Sequence, residues 1–352
     1  MTTDPSSLRQ KLADKLWQTL FGGGDSALLP PWRQRSDKRS TAEVRSAELS
    51  AIEGMLADLD GLHTGRKVFN PKGEVVDAPQ DDFSSSIRFN PLIEQAEEDP
   101  LAALKVPTVQ EALQKVRLEA EIQSLRLSLN VRRIGLKADQ LVETVELETM
   151  SDRPVDPDWL MRWKESAARA VANDFQEMWA RVLVDEVRQP GSHNLRTIAF
   201  LNTVSKADMT TLRFMMRLDL GGFISLEAAG YFNKDIHGPM FTQMEAMGLL
   251  QPDPGKVRIK SVEEKNFRAV LRCQNKALYI EGPDEGSELQ LLARPFTALG
   301  REISSLFNTG MADTAYLFAL GNALKKRGYH IDIGDWLGRA GDKGLFSEKM
   351  SL

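Results

Sequence analysis

Cysteine is almost absent from this chain: Cys273 is the only one in 352 residues. A lone thiol cannot close an internal disulfide, so folding needs no oxidising compartment and a cytoplasmic location is expected. Histidine is scarce too. His63, His193, His237 and His330 are scattered without ligand spacing. A zinc site draws on three or four protein ligands, so neither a metal nor a cofactor is expected. Apolar runs are short, and none approaches the roughly 18 residues that span a bilayer. The opening MTTDPSSLRQKLADKLW has no apolar stretch of the kind a secretory signal carries. A basic surplus is also missing. With a net charge of -5, a large nucleic-acid surface is disfavoured, because phosphate binding demands a concentration of Lys and Arg. No internal repeat is visible. The Gly22-Gly23-Gly24 run is not a phosphate loop, since no strand precedes it and no Gly-Lys-Ser or Gly-Lys-Thr follows.

What is present describes an ordinary globular chain, 42% hydrophobic and 27% charged, long enough for two or three domains. Four consecutive segments are expected. The first, 1–65, opens with a short amphipathic helix over 4–21, in which Leu8, Leu12, Leu16 and Leu20 form one stripe with Trp17 and Phe21 beside it. Such a stripe either docks on a core or contacts a partner or a membrane interface, which would place the protein at the periphery of the inner membrane. An Ala-, Glu- and Arg-rich surface helix over 33–61 follows. The second segment, 66–107, reads as a linker: FNPKGEV suits a turn between short strands, and QDDFSSSIRFNPLIEQAEEDP is acidic and proline-punctuated.

The third segment, 108–206, is helical. Thr108 caps a helix running to about Met150, although the alternation in SLRLSLNVRR competes with helical spacing. Asp156 then caps a second run, Pro157 stands in its first turn and Asp158 opposes the helix dipole. That run breaks once before Gln189, and Pro190-Gly191 ends it. The fourth segment, 207–352, offers helical stretches at 207–218, 225–232 and 239–250, then the β-rich runs VRIKSV, FRAVLRC and KALYIEG. Helix-helix-helix-strand-strand is the order of a winged-helix module. A further strand (LQLLARPF), helices at 297–307 and 312–327, and a strand and turn in HIDIGDWL complete the chain. The fold expected is mainly α, with helical N-terminal and central regions and a C-terminal α+β winged-helix-like module.

The most pointed passage is NDFQEMWARVLVDEVRQPGSHNLRTIAFL, from Asn173 to Leu201. Val171, Phe175, Met178, Trp179, Val182 and Leu183 share a helical face, and Glu186, two turns beyond Trp179, points the same way. A buried carboxylate needs a partner, and Arg196 on the next helix is the natural one. Ser192 would cap that helix. A catalytic reading would make Glu186 a general base assisted by His193 or Arg196, but no nucleophile is specified, so a structural ion pair is expected and no catalytic residue. In the winged-helix-like segment, PMFTQMEAMGLL carries Gln243 but no Lys or Arg, and Glu245 would repel phosphate. Sequence-specific DNA binding is therefore disfavoured. The residues that favour it are Lys256, Arg258 and Lys260, alternating on one strand face.

The runs D-P-D-W (Asp156 to Trp159), Q-x-x-W-A (Gln176, Trp179, Ala180), E-x-x-x-P-G-S (Glu186, Pro190, Gly191, Ser192) and R-T (Arg196, Thr197) resemble an uncharacterised bacterial family, a domain of unknown function. LLPPWRQR near the N-terminus and F-T-A-L-G-R-E (Phe296 to Glu302) are similar to its flanking parts. Val184-Asp185 departs from the small residues expected there. The resemblance carries no catalytic residue and implies a role in bacterial defence against phage. The function expected is a non-enzymatic intracellular interaction protein, a sensor or effector acting by helix-mediated assembly with itself or a protein partner, with the switch across 66–107. The rivals are a membrane-associating effector using the N-terminal stripe, a winged-helix DNA-binding regulator, and an enzyme of unrecognised type.

Overall fold

A computed structural model describes residues 5–22, 41–64, 66–70, 74–78, 109–143, 150–228, 230–261, 266–282, 288–307, 311–340, 343–346 and 350–351. Most of the expected linker and the LLPPWRQR run lie outside these residues. The chain forms two compact units that interleave in sequence, so the four consecutive segments are regrouped. One, the helical unit, holds 13–143 and 163–180; the other, the mixed unit, holds 1–12, 144–162 and 181–352. The mainly α expectation holds: ten helices and a set of short antiparallel sheets are described.

The helical unit is built on α1 (Pro5–Phe21, from Ala13 onward), α2 (Thr41–His63), a hairpin of β1 (Lys67–Phe69) and β2 (Val75–Asp77), and α3 (Val109–Val142). The last residues of α4 (Pro157–Ala167) and the first of α5 (Asn173–Arg188) complete it. The alternating SLRLSLNVRR does not break α3. Ile122, Leu129, Ile134, Ala138 and Val142 are buried at helical spacing, and that stripe outweighs the local period of two. The two ends of the FNPKGEV stretch lie in paired antiparallel strands, with Val68 opposite Val76, and its middle, 71–73, lies outside the described residues.

Against α3 lies the end of α1. Leu16 and Leu20 are buried, and at Gly135 of α3 a β-carbon would come within 3.1 Å of the Leu20 side chain. Trp17 and Phe21 stack at 5.2 Å, and the Arg132 guanidinium sits 4.8 Å from the Phe21 ring centre. The Lys164 ammonium donates to the Leu20 carbonyl at 2.6 Å, satisfying an orphan acceptor at the negative end of α1.

The mixed unit continues α4 and α5 into α6 (Leu195–Thr203), α7 (Lys206–Met216), β3 (Phe223–Ser225), α8 (Lys234–Ala246), β4 (Gly255–Ile259), β5 (Phe267–Cys273), β6 (Lys276–Gly282) and β7 (Leu289–Pro295). Helices α9 (Ala298–Leu306) and α10 (Thr314–Lys326) and strands β8 (His330–Ala340), β9 (Lys343–Phe346) and β10 (Met350–Ser351) follow. One sheet has the order β3-β7-β4; the other has β10-β8-β6-β5, with β9 also on β8.

Two expectations are corrected here. The stretch 225–232 is not a helix: β3 ends in it, and the buried Tyr316 hydroxyl accepts from the Ser225 N–H at 2.8 Å and donates to its carbonyl at 3.2 Å. The three consecutive β-rich runs fall into two sheets. β5 and β6 are joined by the two-residue turn Gln274-Asn275 and pair with each other and β8, whereas β4 pairs with β7. The charge alternation of β4 suits the exposed edge it occupies. Helix α8 also starts a turn and more before Pro239, because the Asn233 side chain accepts the Asp235 N–H at 2.8 Å and caps it.

The F-T-A-L-G-R-E run has a clear physical reading. Phe296 is fully buried, and Thr297 caps α9 by accepting the Gly300 N–H at 3.0 Å while donating to the Gly248 carbonyl at 2.7 Å. Helix α9 thereby lies so close to the α8–β4 turn that a β-carbon on Gly300 would overlap the Leu249 carbonyl oxygen. Gly300→Ala should therefore destabilise the chain by about 1–3 kcal/mol, as overpacking does, even though alanine is the better helix former. Thermal denaturation of the full chain checks this; a variant melting at or above the wild-type temperature would contradict the close approach.

Candidate functional site

The bend after α5 has its own internal lock. Asp156 caps α4, its carboxylate accepting the N–H groups of Asp158 at 2.8 Å and Trp159 at 3.0 Å. The buried Trp159 indole donates to the His193 carbonyl at 2.8 Å. At the far side, Glu186 is only 2% exposed. One of its oxygens accepts the Gly191 N–H at 2.6 Å and the other the His193 N–H at 3.0 Å. Pro190 ends α5, and Gly191 takes a φ of +94°, a conformation that turns its N–H inward and that a side chain would strain.

The expected Glu186–Arg196 ion pair is not formed. The backbone donors five and seven residues beyond Glu186 reach it first, and Arg196 is solvent-exposed. Ser192 is likewise not the cap of α6: its hydroxyl donates to the Gln189 carbonyl at 2.6 Å, and Asn194 accepts the N–H groups of Arg196 and Thr197. Asn194 and Thr197 then both donate to Glu302 of α9, at 2.6 and 2.5 Å, which fixes α6 on α9. Gln176 and Trp179 belong to the helical unit, where Gln176 donates to the Ala170 carbonyl at 3.0 Å and Trp179 accepts the Trp163 indole N–H at 3.2 Å.

The carboxylate of the corner is held by the backbone, while the buried Nδ1 of His193 has no hydrogen-bond partner among the described residues. Both Glu186 oxygens are taken by backbone donors. His193 is buried with one ring nitrogen 3.4 Å from Asp185. Glu186→Gln would aim an amide NH2 at one of those N–H groups and should lower stability by about 2–4 kcal/mol. Arg196→Ala should stay within about 0.5 kcal/mol, as exposed substitutions do. Equal losses in thermal melts would instead reinstate an ion pair.

Other expected contact residues are spread apart. On α1, Leu12, Leu16 and Leu20 are buried and Leu8, Trp17 and Phe21 partly so, so the stripe is turned toward protein. No helix among the described residues is long and apolar enough to cross a membrane. Lys256, Arg258 and Lys260 are exposed along the free edge of β4, with Arg258 3.7 Å from Glu288.

A cavity in the mixed unit was not anticipated from sequence. It encloses about 250 Å³ and is lined by Asp219, Gly221, Gly222, Arg272, Gln274, Arg301, Ser304 and Ser305. Asp219 accepts the Ser304 hydroxyl at 2.5 Å and the Gly222 N–H at 2.6 Å. Burial pushes its carboxyl above the ordinary range, against these hydrogen bonds, which favour the charged form. Arg272 stacks over Trp336 at 5.2 Å and donates its Nε to the Gln274 carbonyl. Arg301 donates to the Phe296 carbonyl at 3.0 Å. Only the short Asp219-Leu220-Gly221-Gly222 run hints at this place in the sequence, because its other walls come from residues 53 to 86 positions beyond Asp219.

Residues 119–222 match the model of a family described as Protein of unknown function (DUF2806). The matched stretch contains the whole corner, from Asp156 to Thr197, and ends in the Asp219–Gly222 turn of the cavity. No curated protein and no solved structure matches the chain.

Proposed function

We propose that this chain is a non-enzymatic interaction protein that assembles with further copies of itself through helices of the helical unit. The observation that carries this reading is how α2 is held. Among its described side-chain positions only Gly61 is buried. It runs antiparallel to α3, joined by Asp60 to Arg126 with two contacts of 2.9 Å and by Glu53 to Arg133 at 2.8 and 3.1 Å. Exposed pairs of this kind contribute only about 0–1 kcal/mol each.

The same arm turns apolar groups outward. Met55 of α2 is 51% exposed and Val116 of α3 61%. Val68 and Val76, directly opposite each other in the hairpin, are exposed as well. Two helices laced by charge, with apolar side chains facing solvent, form an element that a partner surface would complete. Defence against phage, the setting we favour, is supported by the family resemblance; assembly would be the output of such a sensor or effector.

Met55→Glu with Val116→Glu tests the reading without harming the helices, since glutamate is at least as good a helix former as either residue. Light scattering on the full chain should show a multimer for wild type and a monomer for the double variant at the same concentration. A wild-type monomer at high concentration would refute self-assembly.

One observation supports DNA binding as a second reading. The strand order β3-β7-β4 beside α7 and α8 is compatible with a winged-helix arrangement into which the β5–β6 hairpin is inserted, and Lys256, Arg258 and Lys260 stand exposed on its edge. This reading predicts a gel shift of duplex DNA at low salt that weakens steeply as salt rises and is lost on triple alanine substitution of the three basic residues. An identical shift by the triple variant would exclude that strand as the contact.

A further inference from the structure

The walls of the Asp219 cavity are assembled from separate elements: the α7–β3 turn, the end of β5 with the β5–β6 turn, and one face of α9. Two guanidinium groups line it. Each is anchored by a single hydrogen bond to a backbone carbonyl, Arg272 through Nε and Arg301 through one Nη, and each keeps further N–H donors. Among the described residues no carboxylate pairs with either one, although the chain as a whole is acidic. Elsewhere in the mixed unit, by contrast, Arg268, Arg294 and Arg327 are each matched to a glutamate.

Gln274 and Asp219 close the rest of the wall. Gln274 is 8% exposed, its Nε2 donates to the Met216 carbonyl at 2.7 Å, and no donor reaches its buried Oε1. Its φ of +54° is a backbone conformation that a glycine would adopt with less strain. The fold holds a glutamine there nonetheless, with its amide set into the cavity wall. Asp219 closes the same wall, its carboxylate accepting from Ser304 and Gly222 and facing the backbone N–H groups of Gly221 and Phe223 as well. Ser305 stands at the rim, its hydroxyl donating to the Glu302 carbonyl at 2.7 Å.

We propose that this cavity binds a small phosphate monoester, with Arg272 and Arg301 gripping the phosphate. Two guanidinium forks match a dianion with several acceptor oxygens in geometry and charge, whereas a monocarboxylate is satisfied by one. The volume sets the size of the rest. About 250 Å³ is room for roughly eight waters at ~30 Å³ each, more than a bare phosphate ion fills and less than the usual drug-sized site. The stack of Arg272 on Trp336 and the anchoring of Arg301 to Phe296 hold both forks before a ligand arrives, which limits the ordering they undergo on binding. This site is separate from the assembling arm, and the inference does not rest on the assembly reading.

The test is titration calorimetry on the full chain with ribose 5-phosphate, inorganic phosphate, ribose and sodium succinate, at fixed ionic strength. Ribose 5-phosphate should bind at one site per chain and more tightly than inorganic phosphate, while ribose and succinate should give no saturable signal. Arg272→Gln and Arg301→Gln should each weaken ribose 5-phosphate at least about tenfold, the loss of one charge-assisted fork. Arg301→Lys, which keeps the charge but not the fork, should fall between them and wild type. Arg301 lies on an exposed face of α9, so its variants should melt with the wild type in the absence of ligand. Absence of saturable binding, binding that the arginine variants leave unchanged, or inorganic phosphate binding as tightly as the ester would overturn the proposal.

Discussion

The bend after α5 depends on one buried carboxylate. Glu186 stands where α5 has run out of its own hydrogen bonds, and its two oxygens take the backbone N–H groups of Gly191 and His193. Those donors are what a helix end and a tight bend leave unsatisfied, and burying them unpaired would cost on the order of 1–3 kcal/mol each. With them satisfied, the next residues fall into place. The His193 carbonyl receives the Trp159 indole, Asn194 caps α6, and Asn194 and Thr197 reach Glu302 on α9. A single acidic side chain thus sets the direction in which the chain leaves the helical corner and the surface on which α6 comes to rest.

From α9 the same logic continues toward the cavity. The Gly300 contact draws α9 against the Leu249 carbonyl, and that approach puts Arg301 and Ser304 on the side facing the α7–β3 turn. Ser304 then closes on Asp219, whose other oxygen holds the turn through Gly222. Packing at the corner and the geometry of the cavity are therefore linked through one helix. A substitution that shifts α9 by a fraction of an ångström would be felt by Glu302 on one flank and by Arg301 and Ser304 on the other, because cores yield little to small displacements.

The legible parts of the sequence were those in which partners are close along the chain. Asp156 before Pro157 announced its helix, the break before Gln189 and the stop at Pro190-Gly191 were visible as propensity, and the Leu12, Leu16 and Leu20 stripe gave its buried face by spacing alone. The misreadings came where a distant partner decided the outcome. Glu186 was assigned a guanidinium because a buried charge calls for one; the backbone donors of its own bend are equally good partners and carry no residue-type signal. Ser225 to Phe232 has helical composition, but β7 and the hydroxyl of Tyr316, 91 positions away, hold its start in a strand. The pairing of β4 with β7 skips an entire hairpin, which no local pattern records. The cavity was illegible for the same reason, being three separated pieces of chain.

How the charged groups are used bears on what kind of protein this is. The carboxylates of the corner and the cavity are engaged within the protein: Glu186 by two backbone donors, Glu302 by Asn194 and Thr197, Asp219 by Ser304 and Gly222. A general base must keep a lone pair for the proton it removes, and at the corner the structure directs both carboxylate oxygens elsewhere. The groups that retain capacity are of another kind: N–H donors of Arg272 and Arg301 at a small cavity, and the outward apolar side chains of the α2–α3 arm. Donors fixed in advance suit recognition of an anion, and exposed apolar side chains suit recognition of a protein surface. Both arrangements present groups for recognition, and they are what the two proposals above rest on.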